Sequence, residues 1–434
     1  MSDELAGRDS ASSSITLVLG LGASALAMVK RLREVGQPVR VYSDQPPADD
    51  TIRQRFSAQS VGTMFGDTVD LDRLLDGVTC IAPSPAFPPH HRVLARAEAD
   101  GIPIVSEPEL AWQLSNHHTR LVGVTGTNGK TTTTQLIGAG LSAAFGPVPL
   151  LGNIGVPLTQ GLTDDLAIGV LELSSFQLHY AQTLTCEVAV ITNLADDHLT
   201  WHGNAQAYGK AKATIWAHAN AVVVSSKEHA VLDLLVKYPP VGEVITVDPD
   251  AFTLPIQLLG SHNRANAALA HAACLAMGAN EDAVNTALVR ATPDAHRMQS
   301  LGRIHGVTFI NDSKATNPHA AIAAIQELTH VHWIIGGDNK GVAYDALIPW
   351  MRSRAVAVYG IGTSHEEVAR AARAAGVPVE DHLHLDDAFA ALTQRVRPGD
   401  TVLLSPAAAS TDQFTSYAQR GERFAQLVGE FANA

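Results

Sequence analysis

Cysteine is scarce in this 434-residue chain: Cys80, Cys186 and Cys274 are odd in number, far apart and without CxxC spacing. That pattern excludes a disulfide framework and a cysteine-based zinc site, and implies buried thiols in a reducing cytosol. Positive charge is also short, with 30 Lys and Arg against 43 Asp and Glu, giving a formal charge of −13. A basic patch is the footprint of nucleic acid or an anionic membrane, so neither is expected as a partner. No apolar run approaches the ~18 residues of a membrane span, and the polar start "MSDELAGRDSASSS" has no signal-peptide pattern. A cytoplasmic location is therefore expected. Aromatic residues make up only 5%, whereas 46% of the chain is hydrophobic, so the core must be built largely from Ala, Val and Leu.

What is present is alternation. Short runs rich in β-branched residues recur as "SITLVLGLG", "QPVRVYS", "AIGVLELSS", "EVAVITNLA", "NAVVVSS", "GVTFINDS", "HVHWIIGG", "AVAVYGIG" and "DTVLLSPAAAS". Between them lie stretches of helical period such as "ALAMVKRLREVG" and "AALAHAACLAMG". Strand–helix alternation predicts an α/β fold with parallel sheets covered by helices. The length predicts about three domains. Boundaries near residues 108 and 294 would give domains 1–108, 109–294 and 295–434.

Ligands of such sheets bind beyond the carboxyl ends of the strands, which directs attention to the polar tails of these runs. "LVLGLGASALAMV" matches G-x-G-x-x-A through Gly20, Gly22 and Ala25, with Asp44 ending the next strand. This is either a nucleotide-binding turn or a tight strand–helix connection without a ligand.

"GVTGTNGKTTTT", residues 123–134, is the stronger signal. Gly126, Gly129, Lys130 and Thr131 follow the strand "TRLVGV" and precede a helix. Backbone N–H groups of such a loop cradle phosphates, a lysine neutralises the β/γ oxygens, and a hydroxyl reaches Mg²⁺. The spacing departs from G-x-x-x-x-G-K, which would want glycine at Val124. ATP is the expected ligand.

Carboxylates and a histidine follow at later strand ends: Glu172 with Ser174 in "LELSS", then Asp196, Asp197 and His198 in "NLADDHLTWH". Oxygen ligands with one imidazole suit Mg²⁺ or Mn²⁺ beside a nucleotide. A zinc reading of His198 and His202 lacks the Glu that should directly follow the first His. In the last third, Asp312, Lys314 and Thr316 in "FINDSKATN", Lys340 in "GGDNKG" and Ser410 in "SPAAASTDQF" again end strands. Two lysines and two hydroxyls suit a small carboxylate and a γ-phosphate.

Taken in order, "GTNGKTTTT", "LGNIG", "LELSSFQL", "NLADDHL", "HNRANAALA", "AHRM", "NDSKATNPHAA", "GGDNKG" and "SPAAASTDQF" resemble the Mur ligases, and among them the glutamate-adding type, over essentially the whole chain. The resemblance implies a Rossmann-like UDP-binding domain, a central P-loop-type mononucleotide-binding ATPase domain and a C-terminal Rossmann-like α/β domain. It implies a monomer that uses ATP to join D-glutamate to UDP-N-acetylmuramoyl-L-alanine through an acyl phosphate.

Site residues follow from that resemblance. Gly126, Thr127, Asn128, Gly129, Lys130, Thr131 and Thr132 would hold the ATP phosphates. Two Mg²⁺ ions would be held by Thr131 and Glu172, with Ser174 nearby, and by His198 and a carbamylated Lys212. Asn263, Asn266, His296, Arg297 and Asp312 would hold adenine, ribose and phosphates, with Lys314 near the γ-phosphate. Lys130, His198, Lys212 and Lys314 are the expected catalytic set. Gly22, Ala23, Ser24 and Asp44 would hold the UDP moiety, and Asn153 and Gln177 the muramoyl-alanine arm. Thr316, Lys340, Ser410 and Tyr417 would grip glutamate. Ala295, Asp196, Thr200 and Ala408 depart from the family pattern without removing an expected ligand. An NAD-dependent dehydrogenase would leave "GTNGKT" unexplained.

Overall fold

The computed structural model describes residues 14–47, 50–59, 61–256, 260–292, 295–326 and 328–433. The polar start and the expected boundary at residue 294 lie outside them. All nine apolar runs form strands, and the chain folds as α/β with three sheets.

The first sheet is parallel, in the order β3-β2-β1-β4, from β1 (Ile15–Leu19), β2 (Val39–Ser43), β3 (Gly62–Phe65) and β4 (Val78–Pro83). The second is also parallel, in the order β10-β9-β8-β5-β7-β6. Its strands are β5 (Arg120–Thr125), β6 (Leu150–Gly152), β7 (Ile168–Glu172), β8 (Val188–Ile191), β9 (Ala221–Ser225) and β10 (Glu243–Val247). Its central strands β5, β7 and β8 are buried nearly throughout, as a parallel sheet sandwiched by helices requires.

The third sheet runs β11-β12-β16-β13-β14-β15, from β11 (Gln299–Ile304), β12 (Val307–Asn311), β13 (Val331–Gly336), β14 (Ala355–Ile361), β15 (Val379–Asp381) and β16 (Thr401–Leu404). Only the edge strand β11 is antiparallel. Strand β16 lies between β12 and β13, which brings the loops that follow these three strands side by side.

The chain divides into two compact units, residues 1–247 with 269–284, and 248–268 with 285–434. The first holds two sheets, and around residue 108 they are joined by structure rather than a loose linker. Helix Glu107–Gln113 is capped by Ser106 and almost wholly buried. Glu107 accepts hydrogen bonds from Thr159 N and Oγ1, both at 2.6 Å. Glu109 accepts from Gln182 N, Thr183 N and Oγ1, and Leu184 N at 2.6–3.0 Å. Among the described residues no helix is long and apolar enough to cross a membrane.

Candidate active site

The phosphate loop leaves β5 at Thr125 and enters helix Lys130–Phe145. Gly126 has φ 147°, and a Cβ there would collide with the Thr192 hydroxyl; Gly129, at φ 78°, caps the helix without a side chain. The backbone conformation favours glycine at both places, and at Gly126 the close approach of Thr192 requires it. The helix therefore presents its first backbone N–H groups with positive potential, as anion binding needs. The strand after the loop's neighbour holds it in shape: Asn128 N donates to Asn193 Oδ1 at 2.9 Å, and Asn193 Nδ2 returns a bond to Asn128 O at 3.1 Å. Thr127 Oγ1 donates to Ala195 O and meets the Tyr208 hydroxyl, each at 3.0 Å.

Two lysines converge on this loop. Lys130 Nζ donates to Gly126 O and Thr127 O at 2.9 Å. Lys212 Nζ donates to Gly126 O at 2.7 Å and lies 4.7 Å from the centre of the Tyr208 ring. At 1% exposure Lys212 is held well below the usual lysine range, first by burial and then by the charge of Lys130.

Glu172, 1% exposed, ends β7 beside the loop. Asn153 Nδ2 donates to its Oε1 at 2.8 Å, while Oε2 is buried without a hydrogen-bond partner. An unpaired buried carboxylate oxygen is costly, and a cation is the natural relief. Ser174 and Gln177 are engaged in a capping box at the start of the next helix. His198 is exposed in the left-handed region at φ 53°, with its ring against Phe176 at 4.7 Å. Thr131, Glu172 and Lys212 are buried around the loop, but no group of three or more His, Cys, Asp or Glu side chains clusters as a metal site among the described residues. Any ion here would need backbone, hydroxyl, phosphate or water oxygens as well.

In the first sheet, Gly22, Ala23 and Ser24 form the open start of helix Ala23–Glu34, with no side chain capping it. At Gly20, φ 114°, a Cβ would collide with the Ser84 hydroxyl. Asp44 accepts from Tyr42 Oη at 2.8 Å and pairs with His91 Nε2 at 3.1 Å. A small cavity at this end is lined by Ser24, Ser84, Glu107, Gln177, Tyr180 and Trp201. Tyr180 Oη and Trp201 Nε1 are buried there without partners.

In the second unit, Asp312 is buried: it accepts from Ser405 Oγ at 2.7 Å and from Met298 N at 3.1 Å. Burial pushes its carboxyl up to about 7. It supports the loop carrying His296 and Arg297, whose His296 and Met298 have φ 66° and 43°. Asn311 Nδ2 contacts His296 Nδ1 at 3.1 Å, and Lys314 N donates to His296 O at 3.1 Å. Lys314 Nζ lies 5.0 Å from the Tyr417 ring centre. Thr316 and Lys340 are exposed, Ser410 is buried, and Asn263 and Asn266 are buried one turn apart with a 3.3 Å side-chain contact.

Sequence reasoning did not single out Tyr208, Glu107, Glu109, Ser84, Asn311 or Arg420. Each acts through a partner far away in the chain, and local spacing carries no trace of that.

A family model described as Mur ligase middle domain matches residues 124–238, and one described as Mur ligase, glutamate ligase domain matches residues 296–408. The chain is 38% identical to the UDP-N-acetylmuramoylalanine--D-glutamate ligase of Frankia casuarinae, over 95% of this chain and 93% of that protein. It is 34% identical to the protein of the same name from Zymomonas mobilis, over 95% and 96%. Among solved structures, MurF from Acinetobacter baumannii aligns over 98% of this chain and 92% of its own with a TM-score of 0.60 at 16% identity. FolC of E. coli, in complex with DHPP and ADP, aligns over 75% and 92% with a TM-score of 0.55 at 17% identity. At such identities these two establish likeness of fold alone.

Proposed function

The chain belongs to the Mur ligase family, and from that membership we propose how its residues divide the work of adding D-glutamate to UDP-N-acetylmuramoyl-L-alanine. The protein is an ATP-dependent ligase of peptidoglycan precursor synthesis. The alanyl carboxylate takes the γ-phosphoryl group of ATP, and the amine of glutamate displaces phosphate from the acyl phosphate to form the amide.

The first step brings two anions together, so positive charge must already be in place. Lys130 and the N–H groups of residues 126–131 supply it around the phosphates. The unpartnered Oε2 of Glu172 carries the reading of the metal site, because it is a buried anionic oxygen next to a phosphate cradle. Thr131, Glu172, His198 and Lys212 would hold Mg²⁺, with Ser174 adjacent; when bound, the ion neutralises phosphate charge. The depressed lysine fits carbamylation: its neutral amine attacks CO₂, loses a proton and becomes an anionic oxygen ligand.

Gln177, Tyr180 and Trp201 line the cavity we assign to the muramoyl-alanine arm, with Asn153, held on Glu172, serving the same arm, and Gly22, Ala23, Ser24 and Asp44 the UDP end. Asn263, Asn266, His296 and Arg297 would serve the nucleoside, Lys314 the γ-phosphate, and Thr316, Lys340, Ser410 and Tyr417 the glutamate. Asp312, committed to Ser405 and Met298, would act on the nucleotide through the loop it holds. The working unit in this reading is one chain, acting in the cytoplasm.

Mass spectrometry of the products tests this assignment. With both substrates, ATP and Mg²⁺, one glutamyl residue should be added to the UDP compound as ADP and phosphate form one for one. Formation of AMP and pyrophosphate would contradict it.

A further inference from the structure

Arg420 is 1% exposed, and the chemistry described so far gives it no task. It sits in the first turn of helix Tyr417–Ala432. Its guanidinium has five N–H groups, and all five are used. Nε donates to Ser313 Oγ at 3.0 Å; one terminal nitrogen donates to Ser313 O at 2.9 Å and Ala408 O at 3.1 Å; the other donates to Gly336 O at 3.4 Å and Ala409 O at 3.3 Å.

Those acceptors belong to three different segments, which end or follow the adjacent strands β12, β16 and β13. They are the segments that carry Lys314 and Thr316, Ser410, and Lys340. They also meet in pairs: Ser405 Oγ donates to Asp312 at 2.7 Å, Gly336 N to Pro406 O at 2.8 Å, and Asp338 and Ala409 exchange backbone bonds at 2.9 and 3.0 Å, but among the described residues Arg420 alone reaches all three. Gly337, at φ 137°, must be glycine because a Cβ would strike Ala409 O and crowd the Arg420 guanidinium.

Every acceptor is neutral, and Arg420 forms no ion pair among the described residues. Burial draws its pKa down to about 10, with Asp412 acting in the opposite sense, so the group keeps its charge at neutral pH. A buried cation without a paired anion is costly to fold, and is tolerated where its hydrogen bonds are complete.

We propose that Arg420 is a positioning residue of the glutamate pocket: its planar fork fixes the three strand-end loops in register, and its buried positive charge beneath them biases the pocket towards a dicarboxylate. The inference rests on the assignment of Thr316, Lys340 and Ser410 to glutamate. Lysine cannot replace the fork, since a single ammonium cannot span five acceptors on three segments.

The test compares wild type, Arg420→Lys and Ser313→Ala. The second variant removes one side-chain acceptor and leaves the arginine in place, which keeps the idea testable if Arg420→Lys does not fold. KM for D-glutamate, KM for ATP and KM for the UDP substrate are measured together with the melting temperature. The proposal expects the glutamate KM to rise at least tenfold in Arg420→Lys and severalfold in Ser313→Ala, with the other two KM values within about twofold. Equal changes in all three, or changes only in melting temperature, would overturn it. If wild-type turnover proves independent of any amino acid, the glutamate assignment itself fails. Hydrogen exchange then decides the locking role alone: faster exchange at residues 337–341 and 406–412 in the variants supports it, and unchanged exchange refutes it.

Discussion

Lys212 and Lys130 share one acceptor: both ammonium nitrogens lie within 2.9 Å of the carbonyl oxygen of Gly126. Two cations on one neutral oxygen repel each other unless one is discharged, and Lys212, the more deeply buried, is the one driven towards its neutral form. Lys130, half-buried, keeps its charge in the assignment to phosphate proposed above.

Lys130→Ala should therefore lower phosphate release by about 100-fold or more, the scale of removing one preorganised charge from a transferring group. The melting temperature should change little, because Lys130 is only partly buried. Turnover near the wild-type rate would contradict its place on the phosphates.

Lys212→Ala should lose most activity and regain part of it in added formate or acetate, whose carboxylate can stand in for a carbamate. Activity measured against carboxylate concentration gives the answer. A flat response in a folded variant would count against carbamylation.

Glu109 carries a pH prediction for stability. Burial opposes its charge, but hydrogen bonds from residues 182–184 outweigh that and hold its carboxyl below the usual range. A depressed carboxylate stabilises the fold above its unfolded pKa of about 4.3, and that contribution is lost as pH falls through the folded value. Glu109→Gln should cost about 2 kcal/mol at pH 7. The difference from wild type, read from urea midpoints, should shrink below about pH 4. A pH-independent difference would contradict it.

Asp312 has the opposite sign. Its folded carboxyl titrates at about 7, above the unfolded value, so its favourable contribution is complete at low pH and lost as pH rises through 7. Asp312→Asn should be less stable than wild type at pH 5 and close the gap by pH 8. Denaturation midpoints that diverge with rising pH would refute the enclosure seen here.

The strands with strong apolar patterns were legible in sequence, and so were the glycine-bearing loop between β5 and its helix and the order of the polar strand ends. The shorter or more exposed strands were not: β6 and β15 have three residues each, and β10, "EVITV", shows no buried face. A three-residue run gives no usable period. Near residue 108 the sequence shows where one run of structure leads towards the next, but not that Glu107 and Glu109 accept hydrogen bonds from residues 159 and 182–184, about 50 and 75 positions away. Arg420 was hidden for a similar reason. On "TSYAQRGERF" it reads as a solvated helix residue, and only the strand order of the third sheet brings its five acceptors together.

The most direct measurement is phosphate release from ATP in the presence of UDP-N-acetylmuramoyl-L-alanine, with D-glutamate, L-glutamate, diaminopimelate or lysine added in turn. Release that depends on D-glutamate alone is the predicted result. Release without amino-acid preference, or with one of the other three preferred, would contradict the assignment of this chain as a D-glutamate-adding ligase.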